Sequence, residues 1–446
     1  MDRGTGLFSS LVGKFFLSFI DLMKVNKRSI WSWALYDWAN SAYATTVMAG
    51  FFPLFFKEYW SDPNNPNQST FYLGMANSLY AIVVAALAPF LGAIADQGSK
   101  KKKFLIFFAF LGSIMTGGLW IVNQGHWQMA VLFYILATIG FASANIFYDS
   151  LLPDIAIEKN VDSVSSLGYG LGYLGGGLLF LLNVIMYLKP HLFGIPDGAT
   201  AIRLSFVSVA IWWFVFTFPL ILFVSESNDE KSVNLIKAIN MGWKQLIETF
   251  KEIRNMRVVG LFLLAYFFYI DGVDTIVKMA VDYGMSLNFP NESLIIALLI
   301  VQFIAFPAAL IYGWLAEKIG AKAGIMIGII GYSIITFLGY FMTKVVHFYI
   351  LAILIGLFQG GIQALSRSLY TRIIPPSKSA EFFGFYNMFG KFAAIIGPAL
   401  MGTVTIIYGN ARVGILSILL LFILGAYFLS KVDIEEGKRI VKEGFQ

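Results

Sequence analysis

Gly92-Ala-Ile-Ala-Asp96-Gln-Gly98-Ser-Lys100-Lys101-Lys102-Lys103 ends one long apolar stretch, and Gly313-Trp-Leu-Ala-Glu317-Lys318-Ile-Gly320-Ala-Lys322 ends another. Each has a glycine, an acid four residues on, a second glycine shortly after, and then lysine. The copies stand 221 residues apart, so the chain reads as a duplication. Working outward from them, apolar stretches fall at roughly 31–57, 71–95, 104–123, 127–149, 164–188, 204–225, 258–284, 293–316, 323–342, 347–371, 381–408 and 413–430. A membrane-crossing helix needs about 20 mostly apolar residues, and all these stretches are near or above that length. The two copies follow the second and the eighth, the same place in each set of six. The sequence therefore predicts an all-α membrane protein with twelve transmembrane helices in two six-helix pseudo-repeats.

Composition agrees. Of 446 residues, 58% are hydrophobic and only 13% are charged, against about 25% charged in an ordinary soluble domain. So few charges cannot cover a water-soluble surface of this size, and the apolar excess needs a bilayer. There is no cysteine, which excludes disulfides, thiolate chemistry and Cys-ligated metals. His126, His191 and His347 show no metal-binding spacing, and no zinc-protease or phosphate-loop motif is present. No enzyme activity, metal, cofactor or nucleic-acid partner is expected.

Orientation follows from lysine and arginine. With both termini cytoplasmic, about 24 of the 32 basic residues lie inside. Lys57, Lys189, Arg203, Lys344 and Arg412 lie outside, and Lys278, Arg367 and Lys391 fall within spans. The chain then divides into a cytoplasmic amphipathic segment (1–30), an N-terminal six-helix half (31–225), a linker (226–257), a C-terminal six-helix half (258–430) and a cytoplasmic tail (431–446). Apolar pairs from Leu7/Phe8 to Leu22/Met23 recur at helical spacing and read as a surface helix rather than a cleavable signal. In the linker, Leu235, Ile239, Trp243, Leu246, Phe250 and Ile253 make a second amphipathic helix. A bacterial plasma membrane and a monomer are expected.

Ionisable residues inside a bilayer are costly, so they face a cavity or a partner. Here they concentrate in few spans: Asp37, Asp149, Asp271, Asp274, Lys278, Asp282, Arg367 and Lys391. Asp271, Asp274, Lys278 and Asp282 recur every three or four residues and form one helix stripe. Asn40 accompanies Asp37, while Gln359, Gln363 and Arg367 share a face. Asp37, Asn40, Asp271, Asp274, Lys278, Gln359, Gln363 and Lys391 are the candidate substrate and coupling-ion residues. Asp149 and Arg367, near helix ends, are candidate gate residues. The competing reading is an internal salt-bridge network that only holds helices together.

The loop Gly92–Lys103 resembles the signature of the major facilitator superfamily, and Gly313–Lys322 resembles its weaker copy. That resemblance implies that Gly92, Asp96, Gly98, Lys100 and, in the copy, Glu317 lock the cytoplasmic side in an outward-open state. It also implies that spans 1, 4, 7 and 10, where the charges concentrate, line a central cavity. YDWANSAYATT (36–46), YIDGVDTI (269–276), GLFQGGIQALSRSLYTRIIP (356–375) and EFFGFYNMFGKFAAIIGP (381–398) are similar to one branch. It comprises the bacterial "unknown major facilitator" permeases, related to the fungal vacuolar effluxer of autophagy, whose reported role is amino-acid efflux. The chain departs from proton-coupled drug antiporters, having no arginine in span 4 and its Gly-Pro in span 11 (Gly397-Pro398) rather than span 5. The expectation is a secondary active transporter of a small polar solute, an amino acid or similar zwitterion, working by alternating access with a proton as the candidate coupling ion. A lipid or lysolipid flippase and a non-transporting receptor are the alternatives.

Overall fold

The computed structural model describes residues 27–61, 66–96, 100–226, 249, 256–287 and 289–443. Gly98, the amphipathic segment before residue 27 and nearly all of the 226–257 linker lie outside the described residues.

All regular structure among the described residues is helical. Helix α1 (Lys27–Ala42) continues to Trp60 through wider π-type turns at Tyr43–Phe51 and Phe56–Trp60. There follow α2 (Pro66–Asp96), α3 (Lys101–Gly118), α4 (Trp127–Ser150), α5 (Val161–Leu188), α6 (Gly198–Phe223), α7 (Arg257–Ser286), α8 (Asn291–Ile319), α9 (Ala321–Tyr340), α10 (Val345–Ile373), α11 (Ser379–Tyr408), α12 (Ala411–Ser417 continuing as Leu419–Ser430) and α13 (Ile434–Glu443). Eleven of these, α2 to α12, are long and apolar enough to cross a membrane. The stretch expected to supply one more span, 31–57, is helical throughout. Ser32, Asp37, Asn40 and Ser41 dilute its apolar content, and its turns widen midway.

Spanning helices form here because lipid offers the backbone no hydrogen-bond partner, so each segment must satisfy its own. Pro89, Pro219, Pro307 and Pro398 sit inside helices, which neighbouring helices make tolerable. Turns between helices can be very short. Only Gly320, with φ 85°, separates α8 from α9, a conformation that costs a residue with a Cβ.

Helix contacts repeat in parallel. α1 packs on α5 and α6, as α7 packs on α11 and α12; α3 pairs with α4, as α9 with α10; α2 meets α4, as α8 meets α10. One apolar core is built from residues between Ile30 and Val224, joined by Ala380, and a second from residues between Met256 and Val432. The two are joined mainly along α2–α11 and α5–α8, with α5 also touching α10. The outer surface carries exposed apolar side chains such as Leu222, Ile406, Ile407 and Ile423, a surface suited to lipid rather than water.

Candidate functional site

The two units meet closely at the end carrying the α2–α3 connection. Gly92 lies against the backbone of Ala380, so closely that a Cβ would collide with it. One turn on, Asp96 accepts the backbone N–H groups of Ala380 (3.2 Å) and Glu381 (2.8 Å). These are unsatisfied donors of the first turn of α11, where a carboxylate also meets the favourable end of the helix dipole. Lys101 Nζ completes the cluster, 3.3 Å from Asp154 and 3.9 Å from Asp96, while donating to Ser379 Oγ at 2.8 Å. Lys101, the neighbour of the expected Lys100, makes these contacts. Lys101 opens α3, and the helix turn aims its side chain back at Asp96.

The second copy makes the matching contact. Gly313 lies against Ser163 and Ser166 at the start of α5, and Glu317 accepts the Ser163 hydroxyl. Beside it, Arg372 of α10 pairs with Asp162 at 2.5 Å and donates to the Glu158 carbonyl at 3.1 Å, while Ser368 donates to Asp162. Asp162 and Arg372 escaped the sequence reading because they lie at span ends, where charges are unremarkable.

Above this layer sits Arg367, 1% exposed. Its guanidinium donates to Asp149 (3.0 Å), to Asp37 (3.4 Å), and to the hydroxyl (2.9 Å) and carbonyl (2.8 Å) of Ser165. Tyr148 donates to Asp37 at 2.8 Å. The rings of Trp33, Tyr148 and Tyr169 surround the cation at 4.8, 5.3 and 4.3 Å. One side chain of α10 thereby ties α1, α4 and α5 together. Asp37, expected among the substrate and coupling-ion residues, thus pairs with Arg367 in one buried cluster with Asp149.

Going away from that end, the α10 face continues. Gln363 accepts from Tyr173 of α5 at 2.7 Å, and Gln359 lies a turn further, buried, its Oε1 without a partner. Asn40 donates to Asn145 at 2.6 Å and serves as a helix tie. Asp271 is wholly buried and also ties helices: one oxygen accepts the Gly397 N–H (2.9 Å) and Thr275 Oγ1 (3.3 Å), while Oδ2 has no partner. Asp271 therefore does not share an open surface with Lys391. Asp274 and Lys278 do lie open, 32% and 48% exposed and 3.7 Å apart. Lys391 lies half-buried over the ring of Tyr80, 6.0 Å from its centroid. The side chain of Asp282 lies outside the described residues.

With about 1.5 Å per helical residue, Arg367 is roughly 9 Å from its helix end, Gln363 about 15 Å, Lys391 about 18 Å, Asp274 about 26 Å and Lys278 about 32 Å from theirs. The site is layered, with a glycine–acid contact, an arginine cluster and an amide level, and beyond them partly exposed charges of both signs at different depths.

A helical membrane bundle built from two matching units and sealed by paired glycine–acid contacts is a protein of the major facilitator type. Solved structures carry the same fold. The chain superposes on the proton:xylose symporter XylE with a TM-score of 0.68 at 14% identity, covering 92% of this chain and 95% of that one. It superposes on the human organic anion transporter MFSD10 with 0.69 at 11% identity, covering 91% and 99%. Residues 64–442 match the family described as "Vacuole effluxer Atg22 like", and the chain belongs to that family. Among its relatives is the "Uncharacterized MFS-type transporter YxiO" of Bacillus subtilis (strain 168), 42% identical over 406 residues, 91% of this chain and 94% of that one. "Autophagy-related protein 22" of Saccharomyces cerevisiae (strain ATCC 204508 / S288c) is 27% identical over 416 residues, 82% and 77% of the respective chains. The chain is thus a multi-pass membrane protein of a transporter family, not of an enzyme family.

Proposed function

We propose that the chain is a secondary active transporter of a small zwitterion, an amino acid or a close analogue, working by alternating access. In this reading twelve helices form two six-helix halves, residues 31–225 and 258–430, that rock about the α2–α11 and α5–α8 seams. The glycine–acid contact and the arginine cluster, a seal and a plug in this reading, lie on the cytoplasmic side of a bacterial inner membrane, with both termini inside, and a single chain is the working unit. The observation that carries the reading is that the accessible charges beyond the arginine cluster, Asp274, Lys278 and Lys391, are of both signs. A carboxylate and an ammonium on one ligand would find opposite partners there, whereas a ligand of a single sign would meet repulsion as well as attraction.

Asp274 and Lys391 then contact the substrate's ammonium and carboxylate, with Lys278 steering and the Gln359 amide oxygen taking a donor from the ligand. Asp271, buried beside them without a basic partner, is the candidate to exchange the coupling proton.

A thermal-shift screen of metabolites on purified protein, followed by flux into liposomes, tests this. Amino acids raise the melting temperature, and Asp274→Asn and Lys391→Gln each abolish the shift and the flux while leaving the unliganded melting temperature in place. A response confined to lipids or to ions of one sign, or normal flux in both variants, would refute the reading.

A further inference from the structure

The short helix α13 follows the last spanning helix and plays no part in the site described above. Asp433 caps it, accepting the backbone N–H groups of Glu435 and Glu436, both at 3.1 Å. Glu435 and Glu436 occupy its first turn and Lys442 its last, the arrangement the helix dipole favours. Two features fix where it sits. Lys322, at the start of α9, donates to the carbonyls of Ser430 (3.0 Å) and Val432 (2.7 Å), setting the direction in which the chain leaves α12. Gly437 is buried against Ile373 of α10 and Val258 of α7, where a Cβ would come within 3.0 Å of both. Ile434, Ile440 and Val441 add apolar contact with the same unit. By these contacts α13 belongs to the C-terminal unit.

Its Lys438, however, reaches the other unit. Nζ lies 3.0 Å from Glu158 Oε1, in the connection between α4 and α5, and 2.8 Å from Glu435 Oε1 of its own helix. The Glu158 carbonyl is held at the same time by Arg372, and Asp162, four residues on, makes the Arg372 ion pair. The loop at Glu158 is therefore gripped from the C-terminal unit twice, once by α10 and once by α13. Both grips must release whenever this end of the bundle opens.

We propose that α13 is a latch on the seal: through Lys438–Glu158 it weights the protein toward the state in which the plugged end is closed. The idea rests on the alternating-access reading. The Lys438–Glu158 pair is more than half exposed on its acidic side, and exposed pairs are weak. The latch biases the equilibrium and does not lock it, by roughly two- to five-fold in the ratio of closed to open molecules.

Native cysteine is absent, so spin labels can be placed at will. Labels on Lys159→Cys and Lys318→Cys, exposed positions on opposite units, report opening of this end by pulsed electron resonance in liposomes. Lys438→Ala and Glu158→Ala each raise the open fraction about two- to five-fold. The double variant does no more than either single one, and the swap Lys438→Glu with Glu158→Lys restores the original distribution. High salt mimics the single variants, because it screens exposed pairs. A short-distance population that never changes, in any variant or condition, overturns both rocking and latch. A wild-type protein that samples the open distance, with single variants that leave its population unmoved or a swap that fails to restore it, overturns the latch alone.

Discussion

Arg367 has the most to lose from substitution. Truncation to alanine leaves Asp37 and Asp149 buried without their cation, a loss of about 3–5 kcal/mol, so Arg367→Ala should unfold at lower temperature and transport nothing. Arg367→Lys keeps the charge but cannot serve both acids and Ser165 from one planar group; flux should fall at least ten-fold with a smaller loss of stability. Equal stability of wild type and Arg367→Ala in detergent melting would show that the plug is not the tie its geometry makes it. Asp271 poses a different question. In Asp271→Asn the side-chain oxygen still accepts from Gly397, so α7 and α11 stay joined. Flux should nonetheless drop, and its dependence on pH flatten, when the proton carrier is removed. Near-normal flux with an unchanged pH profile would leave Asp271 as a helix tie only. At the seal, Lys101→Ala should slow turnover, since Lys101 reaches Asp154 and Ser379.

Among elements, the start of α11 is where the two units are most finely fitted. Gly92 meets its backbone and Asp96 takes its first free donors. Gly92→Leu forces a side chain into filled space, a cost of about 1–3 kcal/mol for overpacking, and that cost falls only on the closed state. The variant should therefore keep its fold yet label readily, from the cytoplasmic side, at a cysteine introduced at Ser379; protection equal to wild type would contradict the seat. Asp96→Ala should act in the same direction by removing a charge-assisted contact, lowering turnover while substrate binding survives. The α13 contact behaves differently with pH. Hydrogen bonding and charge from Lys438 hold the Glu158 carboxyl below its ordinary value, so the contact is complete above the usual glutamate range and is lost only as pH falls through the lowered one. Across neutral pH the latch is engaged, and a pH response of transport in that range must come from elsewhere.

For the molecule as a whole, the basic residues make a topological claim. In the proposed orientation about 24 of 32 fall on the inner side, with both termini and the 226–257 linker in the cytoplasm. A single cysteine at position 240 should resist an impermeant reagent added to intact cells and react once they are opened; labelling from outside would invert the molecule, seal and plug included. In the described structure the two units touch at the basic end, while Asp274 and Lys278 are partly exposed. An alternating transporter should then show its substrate site from the side opposite the seal in the resting state.

The membrane character and the helix positions were legible from the chain alone, because each rests on local patterning. Apolar length sets a span. Which charges meet was not legible. Asp37, Asp149 and Arg367 lie far apart in sequence and look alike as isolated charges within spans. Only packing of α1, α4 and α10 around one guanidinium joins them. The turn of α7 directs Asp271 at the Gly397 amide, while Asp274 and Lys278 stay partly exposed. Spacing along the chain states what a residue can do, whereas its partner depends on rotation and neighbours, and those are properties of the assembled bundle.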